Sequence, residues 1–167
     1  TSDGTGKRKG VPPEQPTLRG LVPKIADFGL AKQLDAEDGK TVAGQVMGTP
    51  SYMAPEQAEG RVDDVGPHTD VYALGAILYE ALTGRPPFKG TSTMETLDLV
   101  RKQEPVPVRV LQPGSPKDLE TICHKCLQKE PRRRYASAAA LAEDLRCFLD
   151  NRPILARPVG RAERLRK

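Results

Sequence analysis

From Pro67 onward, apolar side chains recur at spacings of three and four: Val71, Leu74, Ile77, Leu78, Ala81 and Leu82, with Tyr72 and Tyr79 nearby. That period predicts a helix, and one apolar around much of its circumference belongs at the centre of a helical core. Gly84 stops it, and Pro86-Pro87 follow. Ser92 and Glu95 have the spacing of a capping box, which predicts a second helix running through Leu97 and Val100. Pro105 and Pro107 end it. A third helix is expected with Ser115 as cap and Pro116 in its first turn. Its inner face is Leu119, Ile122, Cys126 and Cys123. Ser137 caps a fourth, with Leu141, Leu145, Phe148 and Leu149 facing inward.

The first part of the chain reads differently. Residues 1–22 are rich in Gly, Pro, Thr and Lys and show neither period, so they form a loop or linker. Pro23-Lys24-Ile25-Ala26 reads as a short strand, closed by Asp27-Phe28-Gly29. Residues 30–56 mix polar residues, Gly and Pro, which predicts a long ordered or switchable loop. The fold class is therefore mainly α: a short strand, a long loop and four helices, without an internal repeat.

Composition narrows the function classes. A chain of 167 residues suits a single domain. The longest apolar stretch, Val71 to Leu82, is interrupted by Glu80 and is too short to span a bilayer, which takes about 20 apolar residues. No charged-then-apolar leader follows Thr1. Net charge is +4, carried by the ends: residues 1–26 are net +3, residues 27–150 net −4, and residues 151–167 net +5. The basic end suits an anionic surface or a solvated linker. No aromatic residue interleaves with its arginines, which argues against base stacking and nucleic-acid binding. Three cysteines, Cys123, Cys126 and Cys147, do not make a secreted disulfide framework and point to a reducing, cytoplasmic setting. Cys123-x-x-Cys126 with His124 between could serve zinc or redox chemistry, but a second ligand pair is missing. Leu119, Ile122 and Leu127 around them favour core cysteines.

Asp27-Phe28-Gly29 is followed, after 24 intervening residues, by Ala54-Pro55-Glu56, itself preceded by Gly48-Thr49-Pro50-Ser51-Tyr52-Met53. Each tripeptide alone is weak. Both together, in this order, with Asp70 opening an apolar helix downstream, resemble a protein kinase, specifically the C-terminal lobe of a bacterial serine/threonine kinase. Thr69 to Gly75, Leu82 to Phe88 and Pro131 to Tyr135 extend the resemblance, which covers residues 23–150. It implies the helical lower lobe of an α+β kinase fold, with one or two short strands and a long activation segment.

The resemblance also implies roles. Phosphoryl transfer from ATP needs metal to neutralise phosphate charge, and a carboxylate suits Mg²⁺. Asp27 is the candidate metal and Mg-ATP residue, with Phe28 packing to direct it and Gly29 permitting the turn. Read without the family, Asp27 is a turn or helix-capping residue. Thr49 lies in the loop that cradles the acceptor residue, and its surroundings are of the serine/threonine class. Thr41 is a candidate phosphosite whose phosphate would order the loop; its plain reading is a loop threonine. Glu56 and Arg134 are expected as a buried ion pair, and Asp70 as an acceptor for backbone amides of the catalytic loop, all three structural in role.

The glycine-rich loop, its strand lysine and the catalytic loop with its Asp and Asn have no match in residues 1–22. Residues 1–22 are therefore expected to be a disordered insertion, 23–150 a partial kinase domain beginning at Asp27-Phe28-Gly29 and its strand, and 151–167 a basic linker. In similar kinases such a linker leads to a membrane helix or a repeat domain. The expected activity is transfer of the ATP γ-phosphate to protein Ser/Thr hydroxyls by the full-length parent, with the isolated chain inactive. The alternative is a pseudokinase or scaffold that keeps the fold without the chemistry; Asp27, Thr49 and Glu56 favour the enzyme.

Overall fold

The computed structural model describes residues 50–156. The expected strand, Asp27, Phe28, Gly29, Thr41, Thr49 and most of the activation segment lie outside them. Six α-helices follow in chain order: α1 (Pro55–Ala58), α2 (Pro67–Thr83), α3 (Thr93–Lys102), α4 (Val108–Leu111), α5 (Lys117–Cys126) and α6 (Ala138–Leu149). Short 3₁₀ turns stand at Pro50–Tyr52, Val62–Asp64 and Pro131–Arg133. No strand occurs among the described residues.

α2 is the hub, packing on α5, α6 and α4. Tyr72, Ala76 and Tyr79 bury one face against Ala54, Val108, Cys123 and Leu127. Val71 buries another against Ile122, Cys126, Tyr135, Leu141 and Ala156. The buried line differs from the expected one: Leu74 and Ile77 stand 38% and 55% exposed, while the two tyrosines are fully buried. Apolar residues all round this helix make its period ambiguous, and the tyrosines carry more apolar area than their polar tips suggest. Gly84 closes α2 in the left-handed conformation (φ 76°), its N–H bonding to Glu80 O at 2.7 Å.

α3 starts as the capping pattern predicts, with Ser92 Oγ accepting the Glu95 amide at 3.1 Å. Glu95 reaches one residue further back than expected, accepting the Thr91 amide at 2.6 Å. Lys129 Nζ donates to Val100 O in the last turns of α3 at 2.6 Å and lies 4.0 Å over the Phe88 ring. Ala58, Phe88, Leu97 and Val100 form a third small cluster there.

Two helix ends depart from expectation. Pro116 is extended (ψ 134°) and stands just before α5, so the helix starts at Lys117 and Ser115 is too far back to cap it. On α6, Ser137 does cap, accepting the Ala140 amide at 3.2 Å. Leu149, however, is 74% exposed, and Asp144 and Cys147 take buried places on the inner face instead. α1 and α4 are single turns (PEQA and VRVL), too short to leave a periodic signature. Packing continues beyond residue 150, where Ile154 and Ala156 join the α2–α5–α6 cluster.

Candidate functional site

The stretch expected to end the activation segment arrives through the Pro50–Tyr52 turn and enters α1. Pro55 suits a first helical turn, and Gln57 Oε1 accepts the Ala54 amide at 3.1 Å. This turns the Glu56 side chain into the protein, where it is fully buried. Tyr52 Oη donates to Glu80 on α2, tying the preceding turn to the central helix.

Glu56 meets Arg134 side by side: Nη1 donates to Oε1 at 2.8 Å and Nη2 to Oε2 at 2.7 Å. Both side chains are wholly removed from solvent. Such a forked pair is the strong form of a charge-assisted hydrogen bond. The other guanidinium hydrogens go to backbone carbonyls: Nε to Gln128 O at 2.8 Å, Nη1 to His68 O at 2.9 Å, and Nη2 to Lys129 O at 3.1 Å. A planar group with five donors is thus fully used. The guanidinium also lies 4.9 Å over the Tyr72 ring. Thr69 Oγ1 adds a bond to Glu56 Oε1 at 2.8 Å, so the N-terminal turn of α2 is fastened to the same carboxylate.

Burial pushes the Glu56 carboxyl up, but hydrogen bonds from Arg134, its own amide, the Arg134 charge and Thr69 outweigh that and leave it below its usual range. A folded-state value below the unfolded one near 4.5 means the unfolded chain binds more protons as the solution turns acid. The stability from the pair is therefore complete above about pH 4.5 and is lost as pH falls through the lower folded value. We expect the stability gap between the wild-type chain and Glu56→Gln to be constant from neutral pH down to about pH 5 and to shrink below it. Urea melts across that range read it directly.

Asp70 lies in the first turn of α2 and is exposed, so water solvates its charge and the helix buries no isolated carboxylate there. Cys123, Cys126 and Cys147 are buried and free. Burial pushes the Cys126 thiol up to about 12 and the Cys123 thiol higher still, so both stay protonated at neutral pH. Cys123 Sγ donates to Gly75 O at 3.6 Å, a packing contact between α5 and α2.

The family resemblance pointed to Glu56 and Arg134 but not to their supports. Thr69 carried a signal, standing three residues after Gly66 at a helix start, where its hydroxyl accepts the Gly66 amide at 3.1 Å. Asp144 carried one too, being a lone acid three residues from both Leu141 and Cys147 on the inward stripe of α6. It is fully buried and accepts the Tyr135 hydroxyl at 2.7 Å.

No group of three or more His, Cys, Asp or Glu side chains suited to a metal occurs among the described residues. No helix among them is long and apolar enough to cross a membrane.

Comparison with known proteins gives a consistent picture. The protein kinase domain family matches residues 16–145. Serine/threonine-protein kinase PknB of Mycobacterium tuberculosis is 40% identical over 123 residues, which is 73% of this chain and 19% of that protein. Serine/threonine-protein kinase Pkn1 of Myxococcus xanthus is 42% identical over 126 residues, 75% of this chain and 18% of its own length. PknB of Mycobacterium leprae is 39% identical over 122 residues, again 73% and 19%. The chain thus spans about a fifth of the length of the curated relatives it matches. The family match takes in Asp27-Phe28-Gly29 and both partners of the buried pair, and this chain belongs to the protein kinase domain family.

Proposed function

We propose that this chain is the lower-lobe part of a serine/threonine protein kinase that transfers the γ-phosphoryl of ATP to hydroxyls of a protein substrate. The observation that carries the reading is the Glu56–Arg134–Thr69 tie. It fixes the far end of the segment that starts at Asp27, and phosphoryl transfer depends on positioning more than on covalent chemistry by the protein. Gly48-Thr49-Pro50-Ser51-Tyr52 is of the serine/threonine class, and the relatives named above carry that activity in their names.

In this reading Asp27 is the metal ligand, its carboxylate oxygen suiting Mg²⁺. Bound Mg²⁺ would neutralise phosphate charge. Phe28 and Gly29 orient Asp27, Thr49 lines the acceptor loop, Thr41 takes a regulatory phosphate, and exposed Asp70 is free to meet the catalytic loop. The buried free thiols suit a cytoplasmic domain, and the basic residues 151–167, whose Ile154 and Ala156 still pack on the core, suit a chain leading on to a further domain or an anchor. The 167-residue chain by itself transfers no phosphate, because the glycine-rich loop, the strand lysine and the catalytic-loop Asp have no match in residues 1–22.

The test is radiolabel transfer from ATP with Mg²⁺ by the full-length protein to a generic basic protein. We expect label on Ser and Thr only, and none from the 167-residue chain. ATP binding without transfer would move the reading to a scaffold. Label on Tyr would refute the serine/threonine class.

A further inference from the structure

Residues 134 and 135 face opposite ways and join two buried polar centres. Arg134 serves Glu56 in α1, as described above. Tyr135 serves Asp144 in α6, its hydroxyl donating to Oδ2 at 2.7 Å. The same carboxylate accepts the Leu155 amide on Oδ1 at 2.5 Å and the Ala156 amide on Oδ2 at 2.8 Å. Asp144 is fully buried, as is Ala156 to within 1%. Its charge is compensated by a hydroxyl and two backbone amides, and each would be left unsatisfied if its acceptor were removed. His68 strengthens the junction from the other side. Its Nδ1 donates to Tyr135 O at 3.1 Å, while its own carbonyl accepts Arg134 Nη1 at 2.9 Å.

The segment leaving α6 is shaped to reach this point. Asn151 takes the left-handed conformation (φ 55°), which ends the helix and turns the chain. The Arg152 amide then bonds to Cys147 O at 2.8 Å. Ile154 and Ala156 pack into the cluster that holds Tyr135. The chain runs on from Ala156 into a stretch, 157–167, that carries most of the positive charge of this end.

We propose that residues 152–156 form a clasp, latched on Asp144, whose attachment is coupled to the α1 anchor of Glu56 through the Arg134–Tyr135 crossbar. The route is Ala156 and Leu155 to Asp144, to Tyr135, along one peptide to Arg134, and on to Glu56. Opening the clasp, for instance by a pull or a partner acting on the chain beyond residue 156, frees Tyr135 and loosens the forked pair. Coupling of this kind is a free energy shared between two sites and therefore reciprocal: loosening Glu56 also loosens the clasp. The proposal concerns packing and stands whether or not the parent transfers phosphate.

Amide hydrogen exchange on the full-length protein tests it. Asp144→Asn keeps the shape of the latch and weakens its acceptors. Exchange at Leu155 and Ala156 is expected to speed up about tenfold or more, and the amides that close α1, those of Ala58, Glu59 and Arg61, which bond to Ala54 O, Pro55 O and Glu56 O, to follow by about tenfold. The amide of Gln112, bonded to Val108 O at 2.8 Å in α4, serves as reference and should change less than about twofold. Release of 155–156 with α1 unchanged would overturn the proposal. So would equal acceleration at α1 and Gln112, which is uniform destabilisation. Tyr135→Phe removes a single hydroxyl from the junction and carries the same test if the Asn variant does not fold, with the same pattern at about threefold. Reciprocity adds a check: Glu56→Gln should speed exchange at 155 and 156 more than at Gln112.

Discussion

Replacing Arg134 with Met destabilises the helical lobe by about 3–5 kcal/mol, because it leaves Glu56 as a buried carboxylate with only neutral partners. The variant strands more than a charge. Carbonyls of Gln128, His68 and Lys129 lose their side-chain donor at the same time. The reverse change, Glu56→Gln, also strands a charge, the buried guanidinium, but is the milder of the two, since the guanidinium keeps those three carbonyls and Gln retains an acceptor for Thr69. About 3 kcal/mol is expected for it, the low end of the range for a buried pair that loses one partner. The asymmetry is the informative part. An isolated buried pair replaced by two apolar residues is often neutral. Here Glu56→Leu/Arg134→Met recovers only part of the loss, because the carbonyls still go unserved. Urea denaturation of the four proteins measures this. Equal single losses, or full recovery in the double variant, would mean Arg134 acts as a charge partner alone.

Gly75→Val is the second large effect. A Cβ at position 75 would lie 2.4 Å from Cys126 Cβ, with the Cys126 backbone carbonyl carbon at 3.4 Å. Both helices must separate, since neither atom belongs to the end of a flexible side chain. This is the principal packing seam of the fold, between α2 and α5. Overpacking of this kind costs about 3 kcal/mol, and the second branch of Val adds to it. Gly75→Ala should lose less, because leaving glycine in a helix interior returns about 1 kcal/mol of propensity. Gly114, which has nothing within 4 Å of an added Cβ, is the matched control, and Gly114→Ala should fall within about 0.5 kcal/mol of wild type. Thermal melts order the three variants. A Gly75→Val protein as stable as Gly114→Ala would mean the α2–α5 seam is looser than the structure shows.

Much of the helical lobe is legible in the residues. α2, α3 and α6 announce themselves through period and punctuation: Gly84 with Pro86-Pro87, Ser92 with Glu95, and Ser137 before an apolar run. Which face of α2 is buried was harder to read. Leu74 and Ile77 outrank tyrosine on any hydropathy scale, yet Tyr72 and Tyr79 fill the core while those two aliphatic residues meet solvent. Tertiary shape, not transfer energy, decides among candidates when a helix is apolar on every side. Single turns such as α1 are invisible to periodicity and come from tertiary ties, here Glu56 to Arg134 across 78 residues of sequence. That pairing came from resemblance, because nothing local marks a partner so distant. The Asp144 junction went unread for the same reason. Two of its three donors are backbone amides at residues 155 and 156, which carry no side-chain signature.

The most direct measurement is phosphate transfer by the full-length protein with Asp27 intact and with Asp27→Ala, both checked for equal melting temperature. If this chain supplies the carboxylate that holds the metal at the transferring phosphate, the substitution lowers transfer by about a hundredfold or more at saturating Mg²⁺, a typical loss for one preorganised electrostatic group. Transfer unchanged by Asp27→Ala would contradict the account and detach the chemistry from this part of the protein.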